Sequence, residues 1–185
     1  NILIRETTNL DEIWHYNIAR SIANGLVPYR DISMITTPFM YIAEAIILRL
    51  TMNEMLIARI LASILGTMII LMSYKILEKI TNKKVLSICA SMLIAIMYLK
   101  HFVIDYNYAI LLIILIIIYR EIADTKEEKK GKRQDIILGI LSGLAICTKQ
   151  TIGTAIAVMC IIEPIIMKPQ SAKTSETLKK IILRA

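Results

Sequence analysis

Two histidines, one tryptophan, four prolines and six glycines are spread over 185 residues, and these scarcities close off several classes of function. The three cysteines, Cys89, Cys147 and Cys160, all lie inside apolar runs with no C-x-x-C spacing. They read as small hydrophobes, not as a disulfide framework or a zinc site. His15 and His101 stand apart without the spacing of metal ligands; the residue pattern calls for no cofactor, though a divalent metal is compatible with it. A glycine-rich phosphate loop is missing, which points away from nucleotide chemistry. A signal-peptide layout of charged head, apolar centre and cleavage site is missing too. The chain starts directly on polar sequence and stops mid-pattern at LKKIILRA, so it is expected to be a fragment truncated at both ends.

Apolar sequence is what the chain has in excess. Hydrophobic residues make up 56% of it and the mean hydropathy is +0.62. Runs such as AILLIILIIIY (109–119) show neither a period of 2 nor one of 3.6. They are apolar on all sides, which suits lipid better than a half-buried core. The net charge of +7 would be consistent with nucleic acid, but the basic residues cluster in short segments between apolar runs. That is the pattern of loops on the cytoplasmic face of a membrane, so the partner is a lipid bilayer and not nucleic acid.

The fold class expected is all-α: a polytopic transmembrane helical bundle with two interfacial helices ahead of it. Residues 10–24 read as the first helix, with Leu10, Trp14, Ile18 and Ile22 on one face and Gly25 then Pro28 at its stop. It is too short and too polar to span and fits a helix lying in the interface. Thr37 and Pro38 suit the cap and first turn of a second helix over 38–50; thirteen residues reach only about 20 Å, short of the roughly 30 Å hydrocarbon core. About five spans follow, at 54–78, 85–99, 102–119, 136–148 and 151–167. The domains are therefore 1–53, an external loop with juxtamembrane helices; 54–167, the bundle, with a cytoplasmic loop at 120–135; and 168–185, a basic cytoplasmic segment. Gly139 and Gly143 form a G-x-x-x-G suited to helix packing.

Orientation follows from Lys and Arg. Fifteen fall on the side carrying Lys75 to Lys84, the loop 120–133 and the segment from Lys168, against six on the other, where Arg5, Arg20, Arg30, Arg49, Lys100 and Lys149 lie. The excess marks the cytoplasm, and residues 1–53 face outward. The spans 85–99 and 136–148 are short, and the charges Lys100, Asp105 and Lys149 all sit at outer ends. Intramembrane charge is costly unless it faces a cavity or a partner. Short helices with polar outer ends would carve a polar depression into the outer leaflet, roofed by the first two helices. Heavy Ile and Lys usage fits an AT-rich, bacterial genome, and hence a plasma membrane with this depression facing outward.

The segment NLDEIWHYNIARSIANGLVPYRD, followed by TPFMY, is similar to the first external loop of the C-type (GT-C) membrane glycosyltransferases, in particular the protein O-mannosyltransferase-like and aminoarabinose-transferase-like group. ARILASILG (58–66), DYNY (105–108) and GLAICTKQT (143–151) also resemble that group, in the same order. The resemblance implies sugar transfer from a polyprenyl-phosphate-sugar donor to a protein, lipid or glycan acceptor on the external face, with inversion at the anomeric carbon. It also implies a catalytic acid at Asp11, with Glu12 as its acidic neighbour, and a further acid at Asp105 in the second external loop.

The residues themselves allow this chemistry. A carboxylate at Asp11 can accept the acceptor's proton, and a cation near the departing phosphate lowers the barrier. Lys149, Arg59 and Arg30 are the outward-side candidates for binding the donor phosphate. Each has a plainer reading. Asn9 to Glu12 fits a capping box; Asp105 is a loop acid near Lys100; Lys149 can end a helix; Arg59 can be a snorkelling anchor; Arg30 and Asp31 can pair in a turn; and His15, four residues after Asp11, can pair with it. A multi-span transporter or lipid flippase without covalent chemistry also uses intramembrane charge and interrupted helices, and a structural subunit would use the charges for topology alone.

Overall fold

The computed structural model describes residues 10–51, 55–98, 105–126, 132–166 and 174–184, and there the chain forms eight α-helices and no strand. They are α1 (Leu10–Ala23), α2 (Phe39–Leu50), α3 (Met55–Thr81), α4 (Lys84–Tyr98), α5 (Tyr106–Lys126), α6 (Lys132–Thr148), α7 (Gln150–Ile166) and α8 (Thr174–Arg184). The all-helical expectation holds over these residues. The boundaries differ most around 120–135, where α5 runs on to Lys126 and α6 begins at Lys132, because the charged flank continues the apolar helices instead of ending them.

Local chemistry explains the ends. Gly25 has φ 101°, and the N–H groups of Gly25 and Leu26 donate back to the carbonyls of Ile22 and Ser21. This is the Schellman closure that a glycine after a helix favours. The chain then turns at Pro28 to Asp31, where the Asp31 carboxylate accepts from the Val27 N–H at 2.8 Å. The second helix starts one residue later than the sequence suggests. Pro38 is its N-cap and no side chain caps it, while the buried Thr37 Oγ1 finds no partner.

α1 packs on α2; α3 carries α4 and α5; α6 and α7 form a tight hairpin through the single residue Lys149, and α8 lies across that pair. The hairpin needs Gly153, whose absent Cβ would sit 2.3 Å from the α6 backbone at Ala145. Gly139 meets the α8 backbone at Leu183, whereas Gly143 faces open space. The two glycines of the G-x-x-x-G therefore do not serve one contact.

The bundle has apolar side chains inside, such as Leu48, Ile69, Ile110 and Leu138, but carries many outside as well. Its outside carries Ile64, Leu71, Met92, Leu93, Ile96, Met159 and Ile166, all exposed, while Ser87, Ser91, Asp135, Ser142 and Thr148 are buried. Large exposed apolar surface needs a partner. Among the described residues one helix, α3, is long and apolar enough to cross a membrane; α4 and α7 are shorter apolar helices.

Candidate active site

The site lies where α1, α2 and the beginnings of α3 and α5 meet the α6–α7 turn. Each side chain is placed by an element boundary. Asp105 directly precedes α5, and its Oδ1 accepts the Asn107 backbone N–H at 3.0 Å. Its Oδ2 accepts from Asn107 Nδ2 at 2.7 Å, and its Oδ1 also lies 3.1 Å from His15 Nε2. A carboxylate only accepts, so His15 Nε2 carries the hydrogen. Burial alone would raise the Asp105 pKa, but the His15 and Asn107 hydrogen bonds outweigh it and hold the carboxyl below its ordinary value.

His15 is buried and enclosed by aromatic rings. Tyr41 stacks on it at 4.7 Å between centroids, Tyr106 lies at 5.1 Å and Trp14 meets it edge-on at 5.4 Å. The Tyr41 hydroxyl lies 3.4 Å from His15 Nε2 and accepts from Thr36 Oγ1 at 3.3 Å. Burial, the main cause, pushes the Tyr41 pKa up to about 12 and keeps the phenol neutral. On the preceding turn of α1, Glu12 is buried and its Oε1 accepts from Arg59 Nε at 3.1 Å, which ties α1 to the start of α3.

Below Asp105 a groove of about 400 Å³ runs down α5. Asp105 and Asn107 line one end of it, and Ile110, Leu111, Ile114 and Ile152 the rest. Lys149 stands beside the mouth. Its Nζ donates to Asn107 Oδ1 at 2.6 Å and lies 5.1 Å from the centre of the Tyr106 ring.

A scan against known protein families matches residues 36–183 to the family described as dolichyl-phosphate-mannose-protein mannosyltransferase. The chain belongs to that family. No curated protein and no solved structure matches it. The mannosyltransferase family membership makes this a membrane glycosyltransferase and agrees with the resemblance read in the sequence. The matched span includes α2 to α7, with Asp105, Arg59 and Lys149, and begins after α1.

Within this mannosyltransferase-like chain the sequence candidates separate. Glu12, Arg59, Asp105 and Lys149 gather at one end of the bundle. Asp11 is exposed on α1, one turn before His15. Arg30 lies apart in the surface turn, where its guanidinium donates to Asp31 at 2.9 and 3.0 Å. Lys100, His101 and Asn9 fall outside the described residues. Glu12 turns to Arg59, and His15 gives its Nε2 to Asp105. Among the described residues no three His, Cys, Asp or Glu side chains come together to hold a metal ion.

Sequence reasoning missed three members. Tyr41 and Asn107 carried no signal beyond their neighbourhood in TPFMY and DYNY. Glu44, on the buried stripe of α2 with Tyr41, Ala45 and Leu48, was legible as an acid within an apolar helix. It is 1% exposed, neither carboxylate oxygen has a hydrogen-bond partner, and burial pushes its pKa up to about 8.

Proposed function

We propose that this chain is an integral, multi-pass membrane glycosyltransferase that moves a sugar from a polyprenyl-phosphate donor to an acceptor on the external face, with inversion. The observation that carries this reading is the groove beneath Asp105. It is polar at the mouth and apolar for about two turns of α5 below, which matches a ligand with a charged head and an isoprenoid tail. α1 and α2, too short to span, then lie at the outer interface as a roof.

The chemistry follows from that placement. An acceptor hydroxyl attacks the anomeric carbon from the face opposite the phosphate, the glycosidic C–O bond to phosphate breaks, and the polyprenyl phosphate leaves with the bonding electrons. Asp11, solvent-facing on α1, takes the acceptor's proton as general base. Lys149, at the groove mouth, meets the charge gathering on the phosphate. Arg59 and Arg30 are weaker choices for that contact, because Arg59 is 9% exposed and bound to Glu12, and Arg30 is bound to Asp31. Asp105 has its oxygens taken by three donors, so it orders the site more than it accepts protons.

The test is transfer in membranes supplied with lipid-linked sugar. Asp11→Asn should lower transfer by roughly 10²- to 10⁴-fold at unchanged expression, and the product should have the anomeric configuration opposite to the donor's. Wild-type transfer by that variant rejects Asp11 as the base. Movement of the lipid-linked sugar across the bilayer with no covalent product supports the transporter reading instead.

A further inference from the structure

α1 reaches the rest of the molecule through unequal contacts. Along α2 and the start of α3 it packs Tyr16, Ala19 and Ala23 in one cluster with Ala45, Leu48, Ala58 and Ala62, and its first turn pairs Glu12 with Arg59. Toward α5 its link is His15, a residue 1% exposed, whose Nε2 meets the Asp105 carboxylate and whose ring lies between Tyr41 and Tyr106. The apolar cluster and the Glu12–Arg59 pair hold α1 to α2 and α3, and neither reaches α5. His15, a buried imidazole keeping a hydrogen bond and two ring contacts, ties the helix to the head of α5. Keeping the Asp105 contact is favoured, since a buried polar group that loses its partner keeps the full cost of leaving water.

We propose that His15 is the positioning residue that locks α1 over the mouth of the α5 groove, so that Asp11, one turn away on the same helix, meets an acceptor bound there. Residues four apart share a helix face, with Cβ atoms about 5–6 Å apart, so fixing His15 fixes the place of Asp11. Asp105 is the anchor at the other end of the lock. Its two bonds to Asn107 and its place at the head of α5 keep it stationary. Lys149, bonded to the same Asn107, is thereby held in register with the acid-bearing helix. One hydrogen-bonded chain thus runs from α1 through the head of α5 to the α6–α7 turn.

This assignment rests on the transferase reading for its kinetic consequence but not for its structural one, and the two are read separately. Trp14, the only tryptophan of the chain, lies against His15 and Tyr41, so its fluorescence and its quenching by acrylamide report whether α1 is seated; Trp14→Phe supplies the blank. His15→Ala should raise Trp14 quenching in the purified full chain, and Asp105→Ala should do the same. His15→Gln, whose terminal amide N–H reaches toward Asp105 as Nε2 does, should restore the wild-type signal. In the transfer assay His15→Ala should lower kcat by roughly tenfold to a hundredfold with the donor KM within about twofold, and His15→Gln should recover most of it. The double variant His15→Ala/Asp105→Ala should be no worse than the single ones.

If His15→Ala leaves Trp14 quenching unchanged, or His15→Gln behaves like His15→Ala in both measurements, the lock is rejected. If the wild-type chain transfers no sugar while the quenching pattern follows His15 and Asp105 as stated, the lock stands and the transferase reading fails. Should His15→Ala not fold, His15→Gln against His15→Asn carries the same comparison, because the shorter amide does not reach Asp105.

Discussion

The two ends of the bundle each bury a charged cluster, and they are built differently. At the end opposite the groove, Arg184 of α8 is fully enclosed. Its Nε donates to Asp135 of α6 at 2.7 Å, and its Nη1 donates to Glu163 of α7 at 2.6 Å and to the Cys160 carbonyl at 3.2 Å, and lies 3.4 Å from Glu121 of α5. One cation thus staples four helices. At the groove end, the buried pairs Glu12–Arg59 and His15–Asp105 stand beside an open groove, a half-buried Lys149 and an exposed Asp11. Buried charge by itself therefore does not mark a site. The mark is buried charge at the mouth of a cavity, next to polar groups that a ligand can reach.

The comparison can be broken at its strongest points first. Arg59→Ala and Arg184→Ala each take an ion-pair partner from a buried carboxylate, Glu12 and Asp135 respectively, so each should destabilise the chain by about 3–5 kcal/mol in a detergent unfolding titration. They should differ in function. Transfer per folded molecule should fall for Arg59→Ala and stay near wild type for Arg184→Ala; equal loss in both would erase the distinction between the ends.

Glu44 gives the next largest effect, with a definite sign. Its folded pKa of about 8 lies above the ordinary 4.5, so the folded state binds the extra proton. Its contribution is intact below about pH 4.5 and is lost as pH rises through 8. Stability should decline by a few kcal/mol across that window, and Glu44→Gln should flatten the decline; a pH profile identical to wild type would show that Glu44 is ionised and partnered.

Gly139→Ala sharpens the account of the far end. Its Cβ would come within 2.7 Å of the Leu183 carbonyl, so α8 should loosen at a cost of about 1–3 kcal/mol. Gly143→Ala, facing open space, should fall within about 0.5 kcal/mol of wild type or gain stability from helix propensity. The last effect is kinetic. Lys149→Ala should raise the donor KM about tenfold, the worth of one charged hydrogen bond, without altering the unfolding midpoint. Loss of stability in place of affinity would move Lys149 to the structural side of the comparison.

Much of the scaffold was legible before any coordinates. The helix from Leu10, its stop at Gly25, the short second helix and the apolar segments all follow from local rules: periodicity, the left-handed glycine and run length. So does the placing of Asp105 and Lys149 at helix ends, because an apolar helix tolerates charge best where it stops. Less was legible where a residue answers to a distant partner. Thr37 looked like a cap, but its enclosed Oγ1 has no hydrogen-bond partner; Glu12 looked like a capping-box acid and pairs with a residue 47 positions away. Gly153, which no pattern singled out, permits α7 to approach the α6 backbone at Ala145.

The sequence by itself determined that this chain is helical, rich in surfaces suited to lipid, and polar at one set of helix ends, since those properties come from side-chain hydration and from hydrogen bonds closed within a few residues. Only the tertiary structure decided which charges are spent on one another and which remain beside the groove. That division depends on pairings across 40 to 90 residues, His15 with Asp105, Glu12 with Arg59, Asn107 with Lys149. A buried charge takes its partner from whichever helix packs against it, and packing is a property of the whole bundle.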